Sequence, residues 1–136
     1  MLNKFALQFR VEYHETDGQQ RVHHGNYLNY FERGRVEMLR AAGVNYKTFE
    51  AEGLMLVVTE MNVRYFLPAE FDDFLTLTTE VVQAKGVRIR HQYTLHRNQA
   101  LIVSAESTIA CVDRTGRPHR LPTFFRELAR AGQRND

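Results

Sequence analysis

One stretch of this chain carries a helical hydrophobic period long enough to cover a sheet. From about Asn26 to Ala42, the residues Tyr27, Leu28, Phe31, Arg35, Met38, Leu39 and Ala42 recur at i, i+3, i+4 and i+7. Glu32, Arg33, Glu37 and Arg40 fall largely on the opposite side, where they can pair along the helix. Asn26 suits an N-cap and Gly43 a left-handed C-terminal stop. Whatever this chain folds into must be arranged against that one apolar stripe.

The rest of the chain reads mostly as strand. Phe5, Leu7, Phe9, Val11 and Tyr13 alternate with Lys4, Gln8, Arg10 and Glu12, the period of a half-buried strand. Val44 to Gly53 suits a short helix or turn. From Leu54 to Phe66, Met55, Val57, Thr59, Met61, Val63 and Tyr65 share one face until Pro68 closes the run. A third strand follows Asp72-Asp73, with Leu75, Leu77, Thr79 and Val81 on one side. Lys85-Gly86 turns the chain into a fourth, in which Val87, Ile89, His91, Tyr93 and Leu95 alternate with polar residues. Arg97-Asn98-Gln99 turns it again into a fifth, from Leu101 to about Val112. A short helix from about Thr123 to Ala131 ends the pattern. Four successive strands with short connections predict a largely antiparallel sheet, its apolar face covered by the one long helix: an α+β fold. The expected organisation is a single domain over residues 1–136, with its core at about 4–113.

Composition narrows the function classes. The 136 residues are 43% hydrophobic and 25% charged, with a net charge of +2. The basic residues are scattered, so nucleic acid is not the expected partner. The single cysteine, Cys111, can form neither an internal disulfide nor a metal cluster. No apolar run approaches the ~18 residues of a membrane span, and the N-terminus lacks a signal-peptide core. The expected location is the cytoplasm.

The segment before the long helix holds the candidate chemistry. Asp17 lies in a polar loop, and on local chemistry alone reads first as a turn residue or helix-cap carboxylate. Unpaired N–H groups at a helix start carry partial positive charge and can hold an oxyanion. An aspartate beside them can serve as nucleophile or general base on a carbonyl. His24 is either a solvated loop residue or a group that orients a carbonyl or water. Tyr13 is either a core aromatic or a hydroxyl at the loop mouth. His23 and His24 are adjacent rather than at i, i+4, and His91, His96 and His119 show no ligand spacing, so no metal or cofactor is expected. Lys85, Arg88 and Arg90, with Arg64, are either phosphate contacts or a solvated strand face. Serine-hydrolase, nucleotide-phosphate and dinucleotide glycine motifs are absent.

Tyr13, Asp17, His24, Tyr27 and Phe31-Glu32 occur in the order and spacing of a known motif. With Val63-Arg64-Tyr65-Phe66-Leu67-Pro68-Ala69 and Asp72-Asp73, they make the chain resemble the hot-dog-fold thioesterases. The likeness is to the Tol-Pal-associated (YbgC-type) acyl-CoA thioesterases and the related 4-hydroxybenzoyl-CoA thioesterases, and it runs from Phe5 to about Val112. It implies a five-stranded antiparallel sheet wrapped around one long central helix, and pairing of subunits into a homodimer or homotetramer. It also implies hydrolysis of acyl-CoA, with Asp17 as nucleophile or base, His24 and Gly25 at the oxyanion site, and Tyr13 and His24 orienting it. Lys85, Arg88 and Arg90 become candidates for coenzyme A phosphates. The competing readings are an acyl-carrier-protein thioesterase, a non-catalytic acyl-binding hot-dog domain and, third, a hot-dog dehydratase. Relatives usually carry Gly-Val and an aromatic between the Asp and the His. This chain has Gln19-Gln20-Arg21-Val22-His23.

Overall fold

The computed structural model describes residues 3–133. Strand β1 (Lys4–Arg10) leads through a single 3₁₀ turn at Tyr13–Glu15 to helix α1 (Asn26–Ala41) and the short α2 (Tyr46–Ala51). Strands β2 (Leu54–Tyr65), β3 (Phe74–Lys85), β4 (Arg88–Arg97) and β5 (Ala100–Asp113) follow, and then helix α3 (Thr123–Gln133). The five strands form one antiparallel sheet in the order β1-β3-β4-β5-β2. Tight turns make β3, β4 and β5 neighbours, with Gly86 and Asn98 supplying the positive φ values such turns need, 63° and 55°. β2 does not pair with its successor. The segment 66–73 carries the chain across one end of the sheet, leaving β2 on the edge beyond β5 and β1 on the other edge.

Leu75, Leu77, Thr79 and Val81 of β3, and Ile89, His91, Tyr93 and Leu95 of β4, are all buried, as their alternation predicts. The phase fails in β2. The register with β5 shifts between Val58 and Glu60, where Thr59 is the extra residue and its hydroxyl bonds to the Thr108 carbonyl at 3.1 Å. A bulge reverses the alternation. The residues that pack against the core are therefore Leu54 and Leu56 before it and Met61 and Val63 after it, not one continuous odd-numbered face.

Helix α1 spans two core clusters. Its first half, with Tyr27, Tyr30 and Phe31, packs among Phe9, Leu75 and Tyr93. Its second half, with Met38 and Leu39, packs among Phe49, Ile109 and Phe125, where α2 and α3 also contribute. The sheet is thus covered by more than the one long helix. The buried stripe of α1 differs from the expected one at three positions: Tyr30 and Gly34 are inside, and Leu28 is exposed. Gly34 has a specific reason to be there. A β-carbon at this position would lie 2.5 Å from the Thr79 hydroxyl and 2.8 Å from a Leu77 methyl, so helix and sheet meet closely only because none is present. At its C-terminus, Gly43 (φ 88°) donates to Arg40 O and Val44 to Leu39 O, the paired bonds of a Schellman cap. Among the described residues, no helix is long and apolar enough to cross a membrane.

Candidate active site

The segment between β1 and α1 is a small built structure. β1 pairing stops at Arg10, and Tyr13 lies beyond it: it opens the 3₁₀ turn, is 69% exposed and meets Phe71 edge-on at 5.4 Å. It is a rim residue and not a core aromatic. The turn is closed by a reciprocal capping box, in which the Glu12 N–H donates to Glu15 Oε1 at 2.8 Å. The same oxygen accepts the Tyr30 hydroxyl at 2.9 Å. Burial first, with the Glu15 hydrogen bond and charge behind it, keeps that hydroxyl protonated far above the ordinary phenol range. Glu15, the nearest rival carboxylate, is thereby committed to holding loop against helix. Glu12, His14 and Glu15 come close together, but these contacts account for the grouping.

Residues 15–23 form a ribbon. His23 N donates to Glu15 O, Thr16 bridges to Val22, and Asp17 N donates to Arg21 O at 2.8 Å. Val22 anchors it in the core. Asp17 is at the tip, exposed, with Oδ1 accepting the Gln19 N–H at 2.8 Å in an Asx turn that Gln20 completes at φ 66°. Both the turn role and an accessible carboxylate are therefore present in one residue. The base of the ribbon is the Glu15–His23 pair, two pairs or about 7 Å from Asp17, and His24 and Gly25 follow it into the helix.

The helix start departs from the expected cap. Gly25 is the N-cap residue and Asn26 the first helical residue. The Asn26 amide instead donates to Glu15 O at 2.7 Å, tying ribbon to helix. Among the described residues, no side-chain oxygen caps α1. The Gly25 N–H donates to His23 Nδ1 at 3.1 Å, and the His23 and His24 rings stack at 4.3 Å. His23, passed over in the motif, is thus what occupies the N–H expected to receive an oxyanion.

A second segment supports this rim. Val22 N donates to Ala69 O and Phe71 N to Gln20 O, so the ribbon leans on the chain between β2 and β3. That chain is clamped by Arg97, which donates to Asp73 Oδ2 at 2.7 Å and to Pro68 O at 3.1 Å. Tyr65, at the end of β2, donates to His24 O at 3.2 Å and stands edge-on to Tyr27 at 5.4 Å. Tyr65, Phe66, Leu67 and Phe71 all remain about half exposed beside the ribbon, an apolar rim next to a carboxylate.

The structure brings Tyr13, Asp17, His24 and Gly25 to one rim at the start of α1. It does not bring Lys85, Arg88 and Arg90 there. Lys85 is at the far end of β3 from Phe74 and the ribbon, and Arg88 and Arg90 are exposed on β4, where Arg90 faces Glu106 at 4.0 Å. Cys111 is buried, and burial pushes its thiol up, so it is no nucleophile.

Comparison with known proteins places this arrangement in a family. The profile of the thioesterase-like superfamily matches residues 11–129, and the chain belongs to that superfamily. It is 38% identical over 112 residues to "Acyl-CoA thioesterase YbgC" of Haemophilus influenzae, covering 82% of each chain. It is 34% identical over 110 residues to "Acyl-CoA thioester hydrolase YbgC" of Escherichia coli O6:H1, covering 80% of this chain and 82% of the other. The crystal structure of a probable thioesterase from Bartonella henselae superposes with a TM-score of 0.82 at 35% identity, over 88% of this chain and 99% of that one. The resemblance carried by Tyr13, Asp17, His24 and Phe31-Glu32 is borne out, and the fold is the hot-dog fold of these thioesterases.

Proposed function

We propose that this protein hydrolyses acyl-CoA thioesters to the free acid and coenzyme A. The observation that carries the reading is an exposed Asp17 carboxylate held ahead of the α1 start, in a chain 38% identical to an acyl-CoA thioesterase. In this reading the whole chain acts as one hot-dog domain, with α1 as the central helix of its sheet, and works in the cytoplasm. The thioester carbonyl oxygen takes its negative charge against the N–H groups at His24 and Gly25, with the His23 ring moved off Gly25. Asp17 either attacks the carbonyl carbon itself or takes a proton from the attacking water. The carbon–sulfur bond breaks and coenzyme A leaves as the thiolate. Where Asp17 attacks, water then hydrolyses the mixed anhydride and restores the carboxylate.

The active unit is a dimer whose sheets join along β2. That strand presents a twelve-residue edge with Val57 and Val58 exposed, the kind of edge that chains cover by pairing. Asp17 of one subunit then faces the 55–61 stretch of the other. Light scattering at tens of micromolar should give a dimer or tetramer; a fully active monomer contradicts it.

Lys85, Arg88 and Arg90 lie at the opposite end of β3 from the ribbon, so their role as coenzyme A phosphate contacts is to substrate held at the partner's Asp17. The experiment offers one acyl chain on coenzyme A, on pantetheine and on acyl carrier protein. Turnover should be fastest on coenzyme A. Replacing Arg88 and Arg90 by Ala should raise KM for the acyl-CoA well above its effect on the pantetheine thioester, in a salt-sensitive way. Equal effects on both, or turnover on carrier protein alone, contradict the assignment.

A further inference from the structure

A cavity of about 320 Å³ lies beneath the second half of α1, within the size range of small-molecule sites. It is apart from the rim described above: Arg35, on its lining, is nine residues along the helix from Asn26, about 13 Å. Its two ends differ in chemistry. Ile89, Ile109, Phe125 and Leu128 make one end wholly apolar. Arg35 and His91 stand at the other, against a bonded pair in which the Tyr93 hydroxyl lies 2.6 Å from the Ser107 hydroxyl.

That polar end is built from groups seeking an acceptor. Arg35 is half-buried and donates to the Tyr93 hydroxyl at 2.9 Å, yet among the described residues it pairs with no carboxylate. Glu32, the one acidic residue on the lining among the described residues, is exposed. His91 is 6% exposed, and among the described residues its Nδ1 has no hydrogen-bond partner; neither has the buried hydroxyl of Thr79, which lies opposite Tyr93 in the sheet. Burial, and the Arg35 charge behind it, pushes the imidazole down to about 3. His91 is therefore neutral at physiological pH and adds no second cation. A half-buried guanidinium with no carboxylate partner, beside a buried imidazole nitrogen with no hydrogen-bond partner among the described residues, leaves polar groups that a ligand can complete. An oxygen anion does so best, through charge-assisted bonds. Apart from the Tyr46 hydroxyl, which accepts the Leu56 N–H, the rest of the described lining is apolar and suits an apolar body.

We infer that this cavity is a binding site for an amphipathic monocarboxylate, a free medium-chain fatty acid with its carboxylate on Arg35 and His91 and its alkyl tail toward Phe125 and Leu128. From Arg35 to Leu39 the α1 wall runs about 6 Å, and Phe125 and Leu128 of α3 add to the apolar wall that the chain lies against. The ligand belongs to the class of acid released by the hydrolysis proposed above. Its binding is read without turnover, so this inference and that activity fail separately.

The test is calorimetric titration of the whole protein with octanoate, octan-1-ol and octylamine. Octanoate should bind at least ~10-fold more tightly than octan-1-ol, and octylamine should not bind. Arg35→Met should weaken octanoate roughly 10- to 100-fold, the range for a lost hydrogen bond to a charged group, and leave octan-1-ol unchanged. Leu128→Trp should abolish binding of both by filling the apolar end, whereas Asp17→Asn should leave both intact. The comparison of octanoate with octan-1-ol needs no substitution, so it stands even where a variant fails to fold. No octanoate binding, equal affinity for acid and alcohol, or loss of octanoate in Asp17→Asn alone would overturn the inference.

Discussion

Asp17→Asn should lower kcat for acyl-CoA hydrolysis at least ~10²-fold while KM changes little, the pattern of an interaction made mainly in the transition state. The reasoning starts from the leaving group. A thiol has a pKa near that of cysteine, about 8.5, and departs as thiolate without a strong acid beside it. What the reaction needs is an attacking group and a place for the carbonyl oxygen to hold charge. Asparagine removes the basic, nucleophilic oxygen and nothing else. Its side-chain carbonyl still accepts the Gln19 N–H that closes the Asx turn, so the ribbon keeps its shape. Glu15→Gln is the matched control. Its oxygen accepts from Tyr30 and from Glu12 N, and an amide oxygen can do the same, so most activity should remain. Thiol release by the three proteins under saturating substrate decides between them. A folded Asp17→Asn that turns over near the unaltered rate contradicts the mechanism.

Phe31→Ala should cost about 3–5 kcal/mol of stability, the range for truncating a large aromatic in a packed core. Phe31 is fully buried and stacks on Tyr93 at 4.7 Å, so its removal leaves a void between helix and sheet that neighbours cannot close. For a chain of this length the midpoint of thermal unfolding should fall by about 10–20 °C. Leu28→Ala, three residues earlier on the same helix, should change stability by less than about 0.5 kcal/mol, because Leu28 is exposed. Circular dichroism melts of the pair check which residues form the buried stripe. Equal losses from both would contradict the packing of α1 described here.

Where the fold was legible in the sequence, two-residue alternation or a specific stop residue made it so. β3 and β4 keep one phase through the residues that face the core, and Gly43 adopts the left-handed geometry its position asks for. Legibility failed where tertiary contacts overrule local pattern. Thr59 looks like any strand residue, but it bulges and reverses the inward face of β2. Leu28 and Tyr30 lie two residues apart on one helix, and tertiary contacts put Tyr30 inside: it packs on Phe9, bonds to Glu15, and shares the buried side with Gly34. Tyr13 continues the alternation of β1, yet the strand has already ended where its partner β3 ends.

The rim was legible as a motif, not as a geometry. The spacing of Asp17 and His24 says nothing of the hairpin that puts one at the tip and one at the base. Nor does it show that the His23 ring takes the Gly25 N–H. Arg35 and His91 left a different kind of trace. Each stands in a row of inward-facing apolar residues, Arg35 in the α1 stripe and His91 between Ile89 and Tyr93. Searching for metal-ligand spacing passes over His91, because its significance lies in facing inward without a partner.

The central claim is that this hot-dog chain is an enzyme and not an acyl-binding module. Continuous release of free thiol from a large molar excess of acyl-CoA, measured across short, long and aromatic acyl groups, tests it most directly. Sustained turnover is expected on at least one of these, with many thiols released per chain and few per Asp17→Asn chain. Acyl-CoA that binds and stays intact, with no thiol released beyond the uncatalysed rate from any of them, would contradict it.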